Sequence, residues 1–390
     1  MRRMTVYLQV MLAGILGLVL PLAVLGYLGE EREFHNSRIY EAHIWQRRTG
    51  GAPVLPNDVP TAIAFKKLRL SDRLPRINTV IDGSSTMLTV RNEMFPEDIK
   101  LYNYATWAKS LNTTIPEVEY LIGEYRNIAY VVIGIDWFPG YLGTPLRGTP
   151  NFLRDVGPGI SLEAEFEEAL SLPRVRMAPA FVASLWHDFL DPRHPPKPDS
   201  VPSASGPDAG TYFCPDGSLA KDFRDDAVHS CVGFRADGSH VALGLQASTE
   251  DRARKIVEDY MAKFPGRQFP DGVFDGLIEH GGALNPDVMT RLKDIAIVLS
   301  LRGGHLYLVF PPVIPGLVQR LLDHPVAGPA VRHYLDGFAQ FGRDNQVSVL
   351  FASKSEDYGC TGSDFLDTHH ANERCYSKIF NVWRSDRAWP

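Results

Sequence analysis

The chain has few cysteines, four in 390 residues, and no two of them stand at the C-x₂₋₄-C spacing that a structural zinc site needs. It also lacks a basic excess: 40 Lys and Arg face 46 Asp and Glu, the net charge is −6, and basic residues occur at most as doublets, Arg2-Arg3, Arg47-Arg48 and Lys66-Lys67 among them. Without a positive footprint the chain is not expected to bind nucleic acid. No internal repeat is present, which excludes a solenoid or propeller array. No cofactor or metal pattern is found either, so neither is expected.

Apolar residues are what the chain has in quantity, 44% of the total. At this length they suffice for a full core, either in two domains or in one large domain with an insertion. The clearest physical signal is N-terminal. After Arg2 and Arg3, the run Val6–Leu28 is apolar except for Tyr7, Gln9 and Tyr27, with only glycines and Pro21 interrupting it. At about 1.5 Å per residue it is long enough to cross a hydrocarbon core of about 30 Å. The alternative is a cleaved signal peptide, whose apolar region is usually about 7–15 residues and ends at a small-x-small site. Here the run is longer, and only Val24-Leu25-Gly26 resembles such a site, so residues 1–28 are expected to be an uncleaved transmembrane anchor. Arg2 and Arg3 on one flank, against Glu30, Glu31 and Glu33 on the other, put the N-terminus inside and the rest of the chain in the periplasm or another extracytoplasmic space.

Cysteine usage agrees with an oxidising compartment. The four fall into two sequence-local pairs, Cys214 with Cys231 and Cys360 with Cys375, and an even count there suggests two disulfides. Proximity selects this pairing from three connectivities, and four free, partly buried thiols are the alternative.

Residues 29–76 are mixed and charged, with GGAPVLPNDVP at 50–60 as a loop, and are read as a stalk. The folded unit, 77–390, begins with a run from Ile77 to Ile81 that is β-branched except at Asn78. Four further strand-like runs follow: LYNYA (101–105), AYVVIGI (129–135), HLYLVF (305–310) and VSVLF (347–351). Helical patterns lie between them at 117–125, opened by Pro116, at 287–303 and at 331–342. Strands alternating with helices imply a mainly parallel five-stranded sheet with helices on both faces, an α/β/α sandwich. The stretch at about 139–285 breaks the rhythm and reads as an insertion between the third and fourth strands. It holds an acidic helix (161–172), a Pro-rich linker (191–210) and a Gly/Asp-rich segment between Cys214 and Cys231. Such insertions at strand ends form lids, binding surfaces or stabilising subdomains.

Two stretches carry chemistry. Gly83-Ser84-Ser85 follows the first strand, where α/β sheets bind ligands, so a serine there suits a nucleophile; turn chemistry accounts for Gly and Ser equally well. Beyond the fifth strand comes SDFLDTHHANERC (363–375). If that turn begins a helix, Asp367 and His370 share one face, and a carboxylate beside an imidazole is what a general base needs.

A Ser after the first strand and Asp-x-x-His after the last resembles the SGNH/GDSL hydrolase superfamily from about Ile77 to Trp383. More closely the chain is similar to the membrane-anchored branch that includes alginate O-acetylation and teichoic-acid D-alanylation factors, through LYNYATWAKS (101–110) and VVIGIDWF (131–138). The resemblance implies Ser85 as nucleophile, His370 as base, Asp367 as its orienting carboxylate, and an O-acyl ester of a surface or exopolysaccharide as substrate. It also implies a membrane-bound O-acyltransferase as a partner. Two positions depart from the family pattern. Ala108 stands where a Gly backbone N–H helps form the oxyanion hole, and Asp136 where an Asn side chain donates; an ionised Asp only accepts. With Ser84 these are the expected oxyanion and substrate-binding positions. The departures favour a transferase or weak esterase over a fast hydrolase. They also keep open a non-catalytic scaffold or glycan-binding subunit of an acylation complex. A soluble secreted esterase would require cleavage near Gly26. Trp107 and Trp137, near strand ends, are placed to stack on sugar or to fill the core.

Overall fold

The computed structural model describes residues 52–56, 59–107, 109–137, 211–213, 219–221, 231–241, 249–263, 277–278 and 280–385, together with 17, 42–43 and 46–47. The chain divides into two compact units, Met1–Ile44 with Asn151–Val201, and Trp45–Pro150 with Pro202–Pro390. The sheets, the helices around them and the candidate site lie in the second.

Its elements in chain order are β1 (Val54–Pro56), α1 (Val59–Arg73), β2 (Thr79–Asp82), β3 (Leu101–Asn103), α2 (Leu111–Glu124) and β4 (Tyr130–Gly134). Then come β5 (Thr211–Phe213), β6 (Leu219–Lys221), β7 (Cys231–Phe234), β8 (His240–Val241), α3 (Glu250–Lys263) and α4 (Pro286–Ser300). The last are β9 (His305–Phe310), α5 (Leu317–Asp323), α6 (Ala327–Asn345), β10 (Ser348–Phe351) and α7 (Glu373–Ser385).

Five strands form the central sheet in the order β10-β9-β4-β2-β3, every pairing parallel. A parallel sheet covered on both faces needs strands that are apolar throughout rather than alternating. That is how these runs read: β2 is buried at all four positions, and β9 at every position after His305. The expected α/β class and five parallel strands are observed. Strand order decides where a ligand can sit. The chain moves from β2 outward to the edge strand β3, then returns past β2 to β4, so it reverses direction between β2 and β4. In open α/β sheets the carboxyl ends of two such strands are where ligands bind.

Local chemistry explains the element ends. Asn285 caps α4, its side chain accepting the N–H groups of Asp287 and Val288, with Pro286 in the first turn. The α2 helix starts at Leu111, one turn before the Pro116 expected to open it, and Pro116 lies inside, where it removes one backbone hydrogen bond.

Part of the expected stalk is folded. Residues 54–56 pair antiparallel with β7, with Leu55 opposite Val232, and α1 buries Ala62, Phe65 and Leu70. The charged residues Lys66, Lys67 and Arg69 mask that apolar stripe in the composition, yet all three are buried too.

The insertion lies between the third and fourth sheet strands, as expected. Its β7–β8 hairpin docks on the edge strand: Asn103 N–H donates to the Asp237 carbonyl at 2.7 Å, and His240 N–H to the Leu88 carbonyl at 2.7 Å. Gly238, at φ +81°, makes the approach possible, because a Cβ there would stand 2.3 Å from the Asn103 carbonyl oxygen.

No helix among the described residues is long and apolar enough to cross a membrane. Residues 6–28, apart from Gly17, lie outside the described residues, as do the acidic helix at 161–172, the linker at 191–210, Ala108 and Cys214.

Candidate active site

Gly83 follows β2 with φ +150°, and a Cβ there would meet the Gly134 backbone and Met87 at 3.2 Å. Only glycine lets the chain leave the strand so tightly against its neighbour β4. The next residues form a single 3₁₀ turn, Ser85–Met87, capped by Ser84, whose hydroxyl accepts the Thr86 N–H at 3.3 Å. Ser84 is buried and acts within the turn; Ser85 is half-buried and points out of it toward the C-terminal loop.

The other half of the site is built differently. Residues 365–371 form a loop rather than the start of a helix, closed at its base by an antiparallel bridge between Phe365 and Ala371. Asp367 organises it. Its Oδ1 accepts the N–H groups of both His369 and His370 at 2.9 Å, an arrangement short polar side chains make readily in turns. Its Oδ2 lies 2.6 Å from His370 Nδ1. The loop is fastened to the body by Ile314 N–H to the Thr368 carbonyl at 2.9 Å and by Thr89 Oγ1 to the Ala371 carbonyl at 3.0 Å. Cys360 and Cys375 are joined in a disulfide that spans the whole loop, as the pairing by proximity expected.

The two halves meet. His370 Nε2 stands 2.8 Å from Ser85 Oγ, so Ser85, His370 and Asp367 form one continuous hydrogen-bonded series. Burial pushes the Asp367 carboxyl up, but the hydrogen bond from His370, the charges of His370 and His369, and the His369 N–H outweigh it and hold the group well below the usual carboxylate range. Asp367 is therefore ionised at neutral pH, so Nδ1 carries the imidazole proton and Nε2 is left as acceptor for the Ser85 hydroxyl. This is the geometry of a base-activated serine.

Asp136 leaves β4 directly across the crevice and is buried. One of its carboxylate oxygens accepts the Thr86 hydroxyl at 2.7 Å, so it is tied to the residue after the nucleophile. Thr86 is also held from α7, where the Tyr376 hydroxyl donates to its carbonyl at 2.7 Å. The Ser85 N–H makes no hydrogen bond to any described residue and remains available to an oxyanion.

Trp137 is buried against Phe310 and Tyr334, a core role. Trp107 is half-buried beside the insertion hairpin, edge-on to His240 at 5.2 Å and to Phe234 at 6.4 Å. Asp367, His369 and His370 bring donor atoms within 4.8 Å of one another, the spacing of a metal site. Those donors already face one another, Ser85, and the Thr368 hydroxyl, 2.8 Å from His369 Nδ1.

Sequence reasoning passed over the residues beneath the nucleophile. Asp82, the last residue of β2, is fully buried and paired with Lys109 at 2.7 Å; Lys109 is also paired with buried Glu117. Asp82 Oδ1 accepts the Gly83 N–H at 2.8 Å as well. A charge ending an otherwise apolar strand, just before Gly-Ser-Ser, was the available signal.

Comparison with known protein families, with curated proteins and with solved structures finds no match.

Proposed function

We propose that the protein is a serine esterase or O-acyltransferase of the SGNH type, with an α/β/α sandwich carrying the site. The observation that carries the reading is the contact between Ser85 Oγ and His370 Nε2, made across a separation of 285 residues at the strand-order reversal, with Asp367 behind it. In this reading His370 takes the Ser85 proton as Oγ attacks an acyl carbonyl, and Asp367 stabilises the imidazolium that forms. The Ser85 N–H, together with that of Ala108, receives the developing oxyanion. The imidazolium then protonates the leaving alcohol, and an acceptor hydroxyl, from sugar or water, resolves the acyl-enzyme.

The substrate we propose is an O-acyl ester of a surface or exopolysaccharide, handled beside a membrane-bound O-acyltransferase by a chain anchored through residues 1–28 and facing the periplasm. The apolar run in the sequence and the Cys360–Cys375 disulfide, a bond of oxidising compartments, support that placement.

One observation favours a second reading, a non-catalytic scaffold or glycan-binding subunit. Asp136 brings a carboxylate to the oxyanion side of the crevice, where a catalyst wants a donor. The full chain in detergent separates the two readings, using a small acetyl ester and a fluorophosphonate probe. Hydrolysis and labelling are expected in the native protein, with both lost in Ser85→Ala and labelling cut at least about 10³-fold in His370→Ala. A native chain silent in both assays would select the scaffold.

A further inference from the structure

Beneath the nucleophile turn lies a buried charged cluster that the proposed chemistry does not use. Lys109, just before α2, reaches four groups. Its Nζ donates to Asp82 Oδ1 at 2.7 Å, to Glu117 Oε2, and to the Tyr104 carbonyl at 3.2 Å, and it stands 3.9 Å over the Tyr104 ring. Asp82 and Glu117 are wholly buried and Lys109 nearly so. A second lysine, Lys66 from α1, is wholly buried and donates to the neighbouring Ala105 carbonyl. Burial pushes the Glu117 carboxyl up against the pull of Lys109, and the Asp82 charge and hydrogen bond push it further. Asp82 Oδ2 and Glu117 Oε1 have no hydrogen-bond partner among the described residues.

Taking these charges out of water costs several kcal/mol per ion, and apolar side chains of the same volume usually serve stability as well or better. The cluster's location supplies what stability does not. Asp82 Oδ1 is one atom shared between the ammonium and the nucleophile turn, since it also accepts the Gly83 N–H at 2.8 Å. The segment after β3 is stitched to the same turn by Thr106 N–H to the Gly83 carbonyl at 3.1 Å, and to β2 by Tyr104 N–H to the Ile81 carbonyl at 2.7 Å. Both lysines grip that segment by its carbonyls.

We infer that Lys109 is a positioning residue for Ser85, locking the turn that presents the hydroxyl to the segment Tyr104–Trp107 through Asp82. The inference rests on Ser85 being the nucleophile. A misplacement of about 1 Å at a reacting group can cost about 10²-fold in rate while substrate contacts are untouched, so the effect belongs in kcat.

The test compares the full chain in detergent with Lys109→Met and with the triple variant Asp82→Asn, Lys109→Met, Glu117→Gln. The triple variant removes the Lys109 charge together with both carboxyls it pairs with and keeps an acceptor for the Gly83 N–H. Ester kinetics and amide hydrogen exchange are read together. The expected result for the triple variant is a kcat lower by about 10- to 100-fold with KM within about threefold. Exchange should be faster at residues 83–86 and 104–107 together and unchanged in β9 and β10. Native kcat with native exchange at both segments would overturn the inference. So would exchange that rises across the whole sheet, or a triple variant that does not fold, because the cluster would then serve stability alone. A native chain inert to ester and fluorophosphonate would refute the Ser85 reading, while exchange would still decide whether Lys109 couples the two segments.

Discussion

The two halves of the site are held in opposite ways. The nucleophile turn sits on the sheet, under the insertion hairpin, and is fixed from below by a buried ion cluster and from the side by Thr86, Asp136 and Tyr376. The loop carrying His370 is nearer the surface, with the Asp367 side chain 45% exposed; the Asp367 hydrogen bonds within it, two bonds from Ile314 and Thr89 of the body and a covalent closure hold it. A turn inside the core draws rigidity from surroundings on every side, whereas a loop with one face in solvent adds to its few anchors a frame of its own. Glu373 at the start of α7 links the two regions, pairing with Arg91 after the nucleophile turn and with Arg235 of the insertion hairpin.

The sharpest way to break the surface half alone is Asp367→Asn. It removes the charge that fixes the His370 tautomer and replaces an acceptor pair with a mixed donor and acceptor. We expect turnover to fall by about 10²–10⁴-fold, with the nucleophile-turn exchange unchanged. Steady-state kinetics and hydrogen exchange on the same sample would check both parts; a turnover loss under threefold would show that His370 does not need its partner.

Next in size is the covalent closure. The Cys360→Ser, Cys375→Ser protein should lose about 3 kcal/mol of stability, the chain-entropy value for a loop of roughly this length. Chemical denaturation measures it. Because Asp367 still organises residues 365–371, turnover in the folded fraction should fall less than in Asp367→Asn. A larger fall would mean that the disulfide, not the carboxylate, sets the loop's geometry.

The smallest effect is one of slope. Asp367 has its folded value depressed, so its stabilising contribution is complete above the unfolded value of about 3.9 and is lost only as pH falls below that. Glu117 has its folded value raised, so the native protein binds the extra proton and this contribution weakens as pH climbs above the unfolded value of about 4.3. Thermal melts across pH 5–8 should therefore show the stability difference between native and Glu117→Gln shifting toward the variant as pH rises. A difference that is flat with pH would mean that Glu117 is ionised in the fold.

The strands were readable because a buried parallel strand has little alternation to conceal: β2 is buried at all four positions, β4 at its last four and β9 at its last five. Ser85, Asp367 and His370 were readable as candidates because a Gly-Ser-Ser follows the first sheet strand and an Asp-x-x-His the last, and the structure brings the three side chains together. The structure also joins Cys360 to Cys375 as their proximity suggested. Of the cluster, only Asp82 left a signal, as a charge ending an apolar strand; Lys66, Lys109 and Glu117 were not readable, because a charged side chain in a mixed sequence looks like a solvated one until its partners, up to dozens of residues away, are known. The same masking put α1 in a stalk. Whether residues 365–371 begin a helix was left open by the sequence, because Asp-x-x-His satisfies helical spacing and an Asp-centred turn alike.

Strand order also bears on biosynthesis. The serine follows the first strand of the central sheet and the imidazole lies in the loop after its last, so a chain emerging N-terminus first carries Ser85 for 285 residues before the imidazole that faces it exists. Until that loop has formed, the Ser85 hydroxyl has no imidazole to face. On the proposed reading, a chain terminated before His370 would carry the serine without the group that activates it.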